Sequence, residues 1–347
     1  MIYAPLVAAA LASGGGFAPA RFDAAPIARL TAGAFARTRP SFNKTPFGMY
    51  LGGAIIDSSG VYFNEVIDLP SGTVSGLGTN EFDFTYIFAT GKHMLYAIGP
   101  GSSNFLYEYA LGQSTPTLAW NNDCAQVVAA APNDDLFTNE VTSSGCPTNV
   151  LAAYKPGATT PYRVISRGIT TPVAVEIHGD DLYVSNGNNI AIFPRLGAST
   201  GRTITSGING AFQLAFDAAG NLLVLNSNNS VTIYAPGASS PTTTITDGIS
   251  GPSSLAVGPT GTVYVANAAA NDITEYDNEQ PALSRTITHP THDPVEVAVD
   301  QNDTLYEVVQ ATVCYIWEFP SGSTKSNGSI KIGSAYYING AYAGTNW

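Results

Sequence analysis

A motif that returns about every 41 residues governs what this chain can fold into. The stretches Phe212–Thr246, Ser253–Thr288 and Val295–Lys331 share one order: apolar strand, short turn, apolar strand, polar loop, third strand, Pro/Gly-rich turn and a short Thr/Ile strand. A large apolar or aromatic residue marks each second strand, at Tyr96, Phe137, Tyr183, Leu223, Tyr264 and Tyr306, with intervals of 41, 46, 40, 41 and 42 residues. Four short strands in a unit of this length is the signature of a propeller blade. Runs such as Leu255–Val257 and Val263–Val265 are apolar throughout, so each sheet needs cover on both faces. A ring of sheets supplies that cover and leaves only short edges. No stretch carries the 3.6-residue period of a helical solenoid.

The expected fold is therefore an all-β propeller with seven four-stranded blades, six being the alternative. Residues 335–347 read as the start of a further unit. Near the other end, Leu69-Pro70-Ser71-Gly72 matches Phe319-Pro320-Ser321-Gly322. A composite blade pairing N- and C-terminal strands would close the ring. Residues 44–347 form the single domain in this reading, and residues 1–43 a leader and linker. The apolar run Ala4–Ala12 and the Ala18-Pro19-Ala20 triplet resemble a secretory signal, although no Lys or Arg precedes the run. An exported protein is expected, with a cytoplasmic one as the alternative. The run is too short to span a bilayer, which takes ~20 apolar residues.

Charge narrows the partners. With 14 Lys and Arg against 26 Asp and Glu, the net charge is -12, which disfavours nucleic acid, a ligand that demands clustered cations. Cys124 opens a first strand and Cys146 sits in the following 2–3 loop, so a disulfide between them is expected, closing about 22 residues and contributing roughly 3 kcal/mol. Cys314 reads as a buried free thiol.

The series Gly251-Pro252, Leu255-Ala256-Val257, Gly261, Val263-Tyr264-Val265-Ala266-Asn267, Asn271-Asp272-Ile273 and Tyr276 resembles the NHL repeat. It is equally similar to the propellers that contain gluconolactonase-like proteins and the streptogramin B lyase. The resemblance covers about residues 50–347 and implies architecture alone, because those families include lactonases, lyases and binding domains. Their metal-binding carboxylates and catalytic His/Glu patterns do not map onto this chain.

Candidate ligand residues fall mainly on the face formed by the 2–3 loops and by the connections entering each first strand. The loops bring Asn186, Asn226 and Asn267, and the entering connections bring Asp123 and the stretch His289-Pro290-Thr291-His292-Asp293. Asn and Asp also suit such loops as plain turn formers. His289 and His292 are half of the four histidines, competent as metal ligands or as a general base, yet the sequence names no third ligand. Glu140 and Asp272 are further possibilities. Glu176 occupies a first-strand position where Ala215, Ala256 and Ala298 stand in other repeats, facing the channel or a tight contact between blades. Glu307 is expected to pair with an arginine or to stay at the surface. His178 reads as a turn variant on the opposite face. No phosphate loop, nucleophile elbow or paired-Cys zinc motif occurs.

Two function classes follow. The first is a binding module for protein, peptide or glycan on the loop face, monomeric, with no cofactor and no catalytic residue. The second is a metal-assisted lactonase or lyase using a divalent cation. Convergence of three or more of Glu176, Glu140, Asp123, His289, His292 and Asp272 would favour the second.

Overall fold

The computed structural model describes residues 48–55, 61–68, 73–76, 87–99, 105–110, 113, 115–121, 125, 127–139, 149–196, 201–288, 293–300, 302–310, 314–333 and 337–344. Those residues build seven four-stranded antiparallel sheets. Strands β1 (Gly48–Ile55), β2 (Val61–Asp68) and β3 (Thr73–Gly76) belong to the first sheet. The second sheet holds β4 (Ile87–Thr90), β5 (Met94–Gly99), β6 (Phe105–Ala110) and β7 (Leu118–Asn121). The third holds β8 (Val128–Ala130), β9 (Leu136–Asn139), β10 (Leu151–Tyr154) and β11 (Arg163–Ile165). The fourth holds β12 (Ala174–His178), β13 (Asp181–Ser185), β14 (Ile190–Pro194) and β15 (Arg202–Ile204). The fifth holds β16 (Ala211–Phe216), β17 (Leu222–Asn226), β18 (Ser230–Tyr234) and β19 (Thr243–Ile245). The sixth holds β20 (Pro252–Val257), β21 (Val263–Asn267), β22 (Asp272–Tyr276) and β23 (Arg285–Thr288). The seventh holds β24 (Asp293–Val299), β25 (Leu305–Gln310), β26 (Cys314–Phe319) and β27 (Gly328–Gly333). The last strand, β28 (Tyr337–Gly344), pairs with β1, so the first sheet runs β28-β1-β2-β3.

The all-β repeat expected from the sequence is what forms, and its arrangement is propeller-like. First strands of successive sheets touch: β4 meets β8, β8 meets β12, β12 meets β16, β16 meets β20 and β20 meets β24. Strand β28 touches both β24 and β4.

The core is a series of layers between sheets. Tyr183, Ile190 and Ile192 of the fourth sheet pack with Leu214, Leu222 and Val224 of the fifth. Leu223, Val231 and Ile233 face Leu255, Val263 and Val265 across the next gap. Every residue of β17 and β21 is buried, which is why these strands read as continuous apolar runs instead of alternating ones. A fully buried Leu or Val such as Leu223 or Val224 contributes roughly 1.5–3 kcal/mol. Among the described residues, no helix is long and apolar enough to cross a membrane.

Candidate functional site

The loop face is anchored by one asparagine in each of three consecutive repeats. Asn186 Oδ1 accepts from Thr170 N at 2.9 Å, Asn226 Oδ1 from Asn209 N at 2.9 Å and Asn267 Oδ1 from Ser250 N at 3.0 Å. Each of these amides therefore ties a second strand, or the residue just beyond it, to the connection entering its own sheet. Their Nδ2 groups are engaged as well. Asn186 donates to Gly168 O and Asn189 Oδ1, Asn226 to Thr232 Oγ1 and Asn267 to Asp272 Oδ1. A buried amide must satisfy its donors and its acceptor, and here loop backbone groups and neighbouring side chains do so together. Beyond the anchors, Asn188, Asn228, Asn229 and Asn271 are exposed. The loops thus have a fixed base and an uncharged polar tip.

A second group lies on the first strands. Register pairs Glu176 with Tyr183, Ala215 with Leu223, Ala256 with Tyr264 and Ala298 with Tyr306, so Glu176 holds the position given to it by repeat alignment. Two residues earlier stand Ala174, Gln213, Ser254 and Glu296. Gln213 bridges to the next sheet, accepting from Leu255 N at 2.7 Å and donating to Leu255 O at 3.1 Å. Ser254 accepts from Val297 N at 3.3 Å and donates to Glu296 Oε1. Burial pushes the Glu296 carboxyl up to about 8, against the hydrogen bonds from Ser254 and Val297. Burial likewise pushes Glu176 up to about 7, against one bond from Ile177 N. Both groups therefore exchange protons near neutral pH, the range useful for acid–base work.

The opposite end of the sheets carries staples that the sequence did not announce. Asp134 stands at φ 64° in the β8–β9 turn. Its carboxylate accepts from His93 N at 2.7 Å, His93 Nδ1 at 2.8 Å and Met94 N at 3.2 Å in the neighbouring sheet. Burial works to raise its pKa, and these His93 and Met94 bonds outweigh that and lower it. Asp303, at φ 57° in the β24–β25 turn, accepts from Thr260 Oγ1 at 2.7 Å in the same way. Other repeats place Gly220 or Gly261 at this left-handed position. Gly91 and Gly258 make room for these staples, since a Cβ there would come within 2.4 Å of Asp134 Oδ1 and 2.0 Å of Asp303 Oδ1.

The expectation for Glu307 needs correction. It is 2% exposed, neither at the surface nor paired through Oε2, which has no hydrogen-bond partner among the described residues. Its register neighbours are Val297 and Trp317, and burial pushes its carboxyl up to about 7. Strand alternation gave its face but not how tightly the next sheet covers it.

His178 ends β12, exposed, and its ring stacks on Phe216 at 4.2 Å. Asp123, Glu140, His289, His292, Cys124 and Cys146 lie outside the described residues, as do the side chains of Asp293 and Cys314. Among the described residues, no three His, Cys, Asp or Glu side chains come together as a metal site. No protein-family model matches the chain, and a search of curated proteins finds no relative.

Proposed function

We propose that this chain is an exported, NHL-like propeller of seven blades, its ring closed by the β28–β1 pairing, that acts as a binding module through its loop face. The construction of the 2–3 loops carries the reading. Asn186, Asn226 and Asn267 fix the loop bases, while the neutral side chains of Asn188, Asn228 and Asn271 are exposed at the tips. A pre-ordered polar rim reduces the ordering cost of binding. It suits a glycan or a peptide rich in uncharged hydrogen-bonding groups. Contacts from β28 to both β24 and β4 support the closed ring, and the Ala4–Ala12 run supports export.

The test is to probe glycan and peptide arrays with the fluorescently labelled full chain and with Asn188→Ala/Asn228→Ala/Asn271→Gly. Glycine is chosen at the third position because Asn271 has φ 57°. Binding by the parent that the variant loses, with an unchanged melting temperature, is the expected result. Equal binding by both proteins removes the loop face from the proposal.

A further inference from the structure

One sector of the surface departs from the rest in both charge and polarity. Residues 155–202 hold five of the 14 Lys and Arg (Lys155, Arg163, Arg167, Arg195 and Arg202) against three of the 26 Asp and Glu, in a chain of net charge -12. The same stretch contains all four large apolar side chains that are exposed among the described residues: Tyr162 at 41%, Val164 at 51%, Val173 at 44% and Leu196 at 57%. Single exposed apolar residues are ordinary, but a cluster on a surface of distinct charge marks an interaction site.

Comparison between repeats sharpens the point. Val164 is register partner of Ala152 in the third sheet, and the corresponding outer-strand positions in the next three sheets are Thr203, Thr244 and Thr286. Leu196 is an extra residue in Pro194-Arg195-Leu196-Gly197-Ala198, where other repeats read Pro156-Gly157-Ala158 and Pro236-Gly237-Ala238. The segment leading to Leu196 lies beside β11, because Arg163 Nη1 donates to Pro194 O at 2.8 Å and Arg195 O at 2.6 Å. Among the described residues, strand β11 is the end of its sheet, paired only with β10. Arg167, exposed just beyond it, makes no ion pair among the described residues.

We infer that the outer edge of β11 docks an extended acidic polypeptide segment, which adds as a further strand and packs apolar side chains on Val164, Tyr162 and Leu196. Edge addition draws affinity from the backbone and specificity from alternate side chains. Charge complementarity selects an acidic segment, and Arg167 supplies an uncommitted cation at one end of the edge.

The test measures fluorescence anisotropy of labelled Glu-Val-Glu-Val-Glu-Val-Glu and of its Lys/Val counterpart against the full chain, at about 50 and about 500 mM salt. Expected are saturable binding of the acidic peptide alone, weakened roughly tenfold by salt. Val164→Thr/Leu196→Ser and Arg167→Glu should each weaken it by roughly fivefold or more. The control Thr244→Val, on the fifth sheet, should leave it unchanged. Because threonine is the residue of the other repeats, the double variant should melt with the parent. Should that variant unfold, Arg167→Glu decides alone. Absence of binding, equal binding of the Lys/Val peptide, or unchanged affinity in Arg167→Glu overturns the proposal. Self-association that Val164→Thr/Leu196→Ser abolishes would also overturn it, making a second copy the occupant.

Discussion

At the scale of single residues, the structure separates side chains that hold the fold from those that burden it. Asn226 is fully buried, and its amide serves Asn209 N, Val224 O and Thr232 Oγ1. Asn226→Ala strands those partners, and the expected loss is about 2–3 kcal/mol in a urea titration. Asp134 allows a finer comparison, because its left-handed backbone and its carboxylate are separate contributions. Asp134→Gly keeps the turn and loses the His93 staple, whereas Asp134→Ala loses both. The glycine variant should be more stable by about 1 kcal/mol, and equal stabilities would mean that the turn carries no strain. Glu307 works the other way. A buried carboxyl oxygen without a partner costs about 1–3 kcal/mol, so Glu307→Met should raise the unfolding free energy by about 1–2 kcal/mol at pH 8. Spacing made the repeat asparagines visible in sequence, but not their purpose. An Asn reads alike whether its amide meets a ligand or the backbone of the entering connection, and only the fold brings Asn209 to Asn226.

Between elements, adjacent sheets are joined outside the core by repeated hooks. Arg163 and Arg202, each opening an outer strand, donate to carbonyls of the next sheet at Pro194 and Gly237. Glycine is required near these hooks for two different reasons. A Cβ on Gly201 would lie 2.0 Å from Ile192 O, a backbone atom that cannot yield, whereas Gly157 has open space and φ +75°. Gly201→Ala should therefore cost several kcal/mol, about 3 or more, and Gly157→Ala only about 1 kcal/mol. Thermal melts of the two variants check the order, and a reversed order would contradict the packing. Strand order within a sheet was legible because apolar runs and Pro/Gly turns are local signals. The meeting of Gly258 with Asp303 was not, since the two stand in different repeats and no turn rule links them.

For the whole molecule, pH is the informative variable. Burial raises Glu176 and Glu307 to about 7 and Glu296 to about 8, all above the unfolded carboxyl value of about 4.3. In the window between, the folded chain binds more protons than the unfolded one. Stability is thus fully present near pH 4.3 and falls until pH passes about 8. Asp134 acts oppositely, its contribution being lost as pH falls below about 3.9. The melting temperature should be several degrees higher at pH 5 than at pH 8.5, and Glu307→Met should flatten that slope. A melting temperature that rises with pH across this range would show that these carboxyls are ionised when folded.

The pairing of β1 with β28 also sets an order of events during synthesis. Gly48 finds its register partner at Gly344, nearly three hundred positions later, so the first sheet to begin emerging from the ribosome is the last to be completed. While the other six sheets can form in sequence from local hairpins, β1 must wait with a bare edge. That interval exposes the nascent chain to misdirected strand pairing, and a holdase that shields β1 to β3 would serve it best.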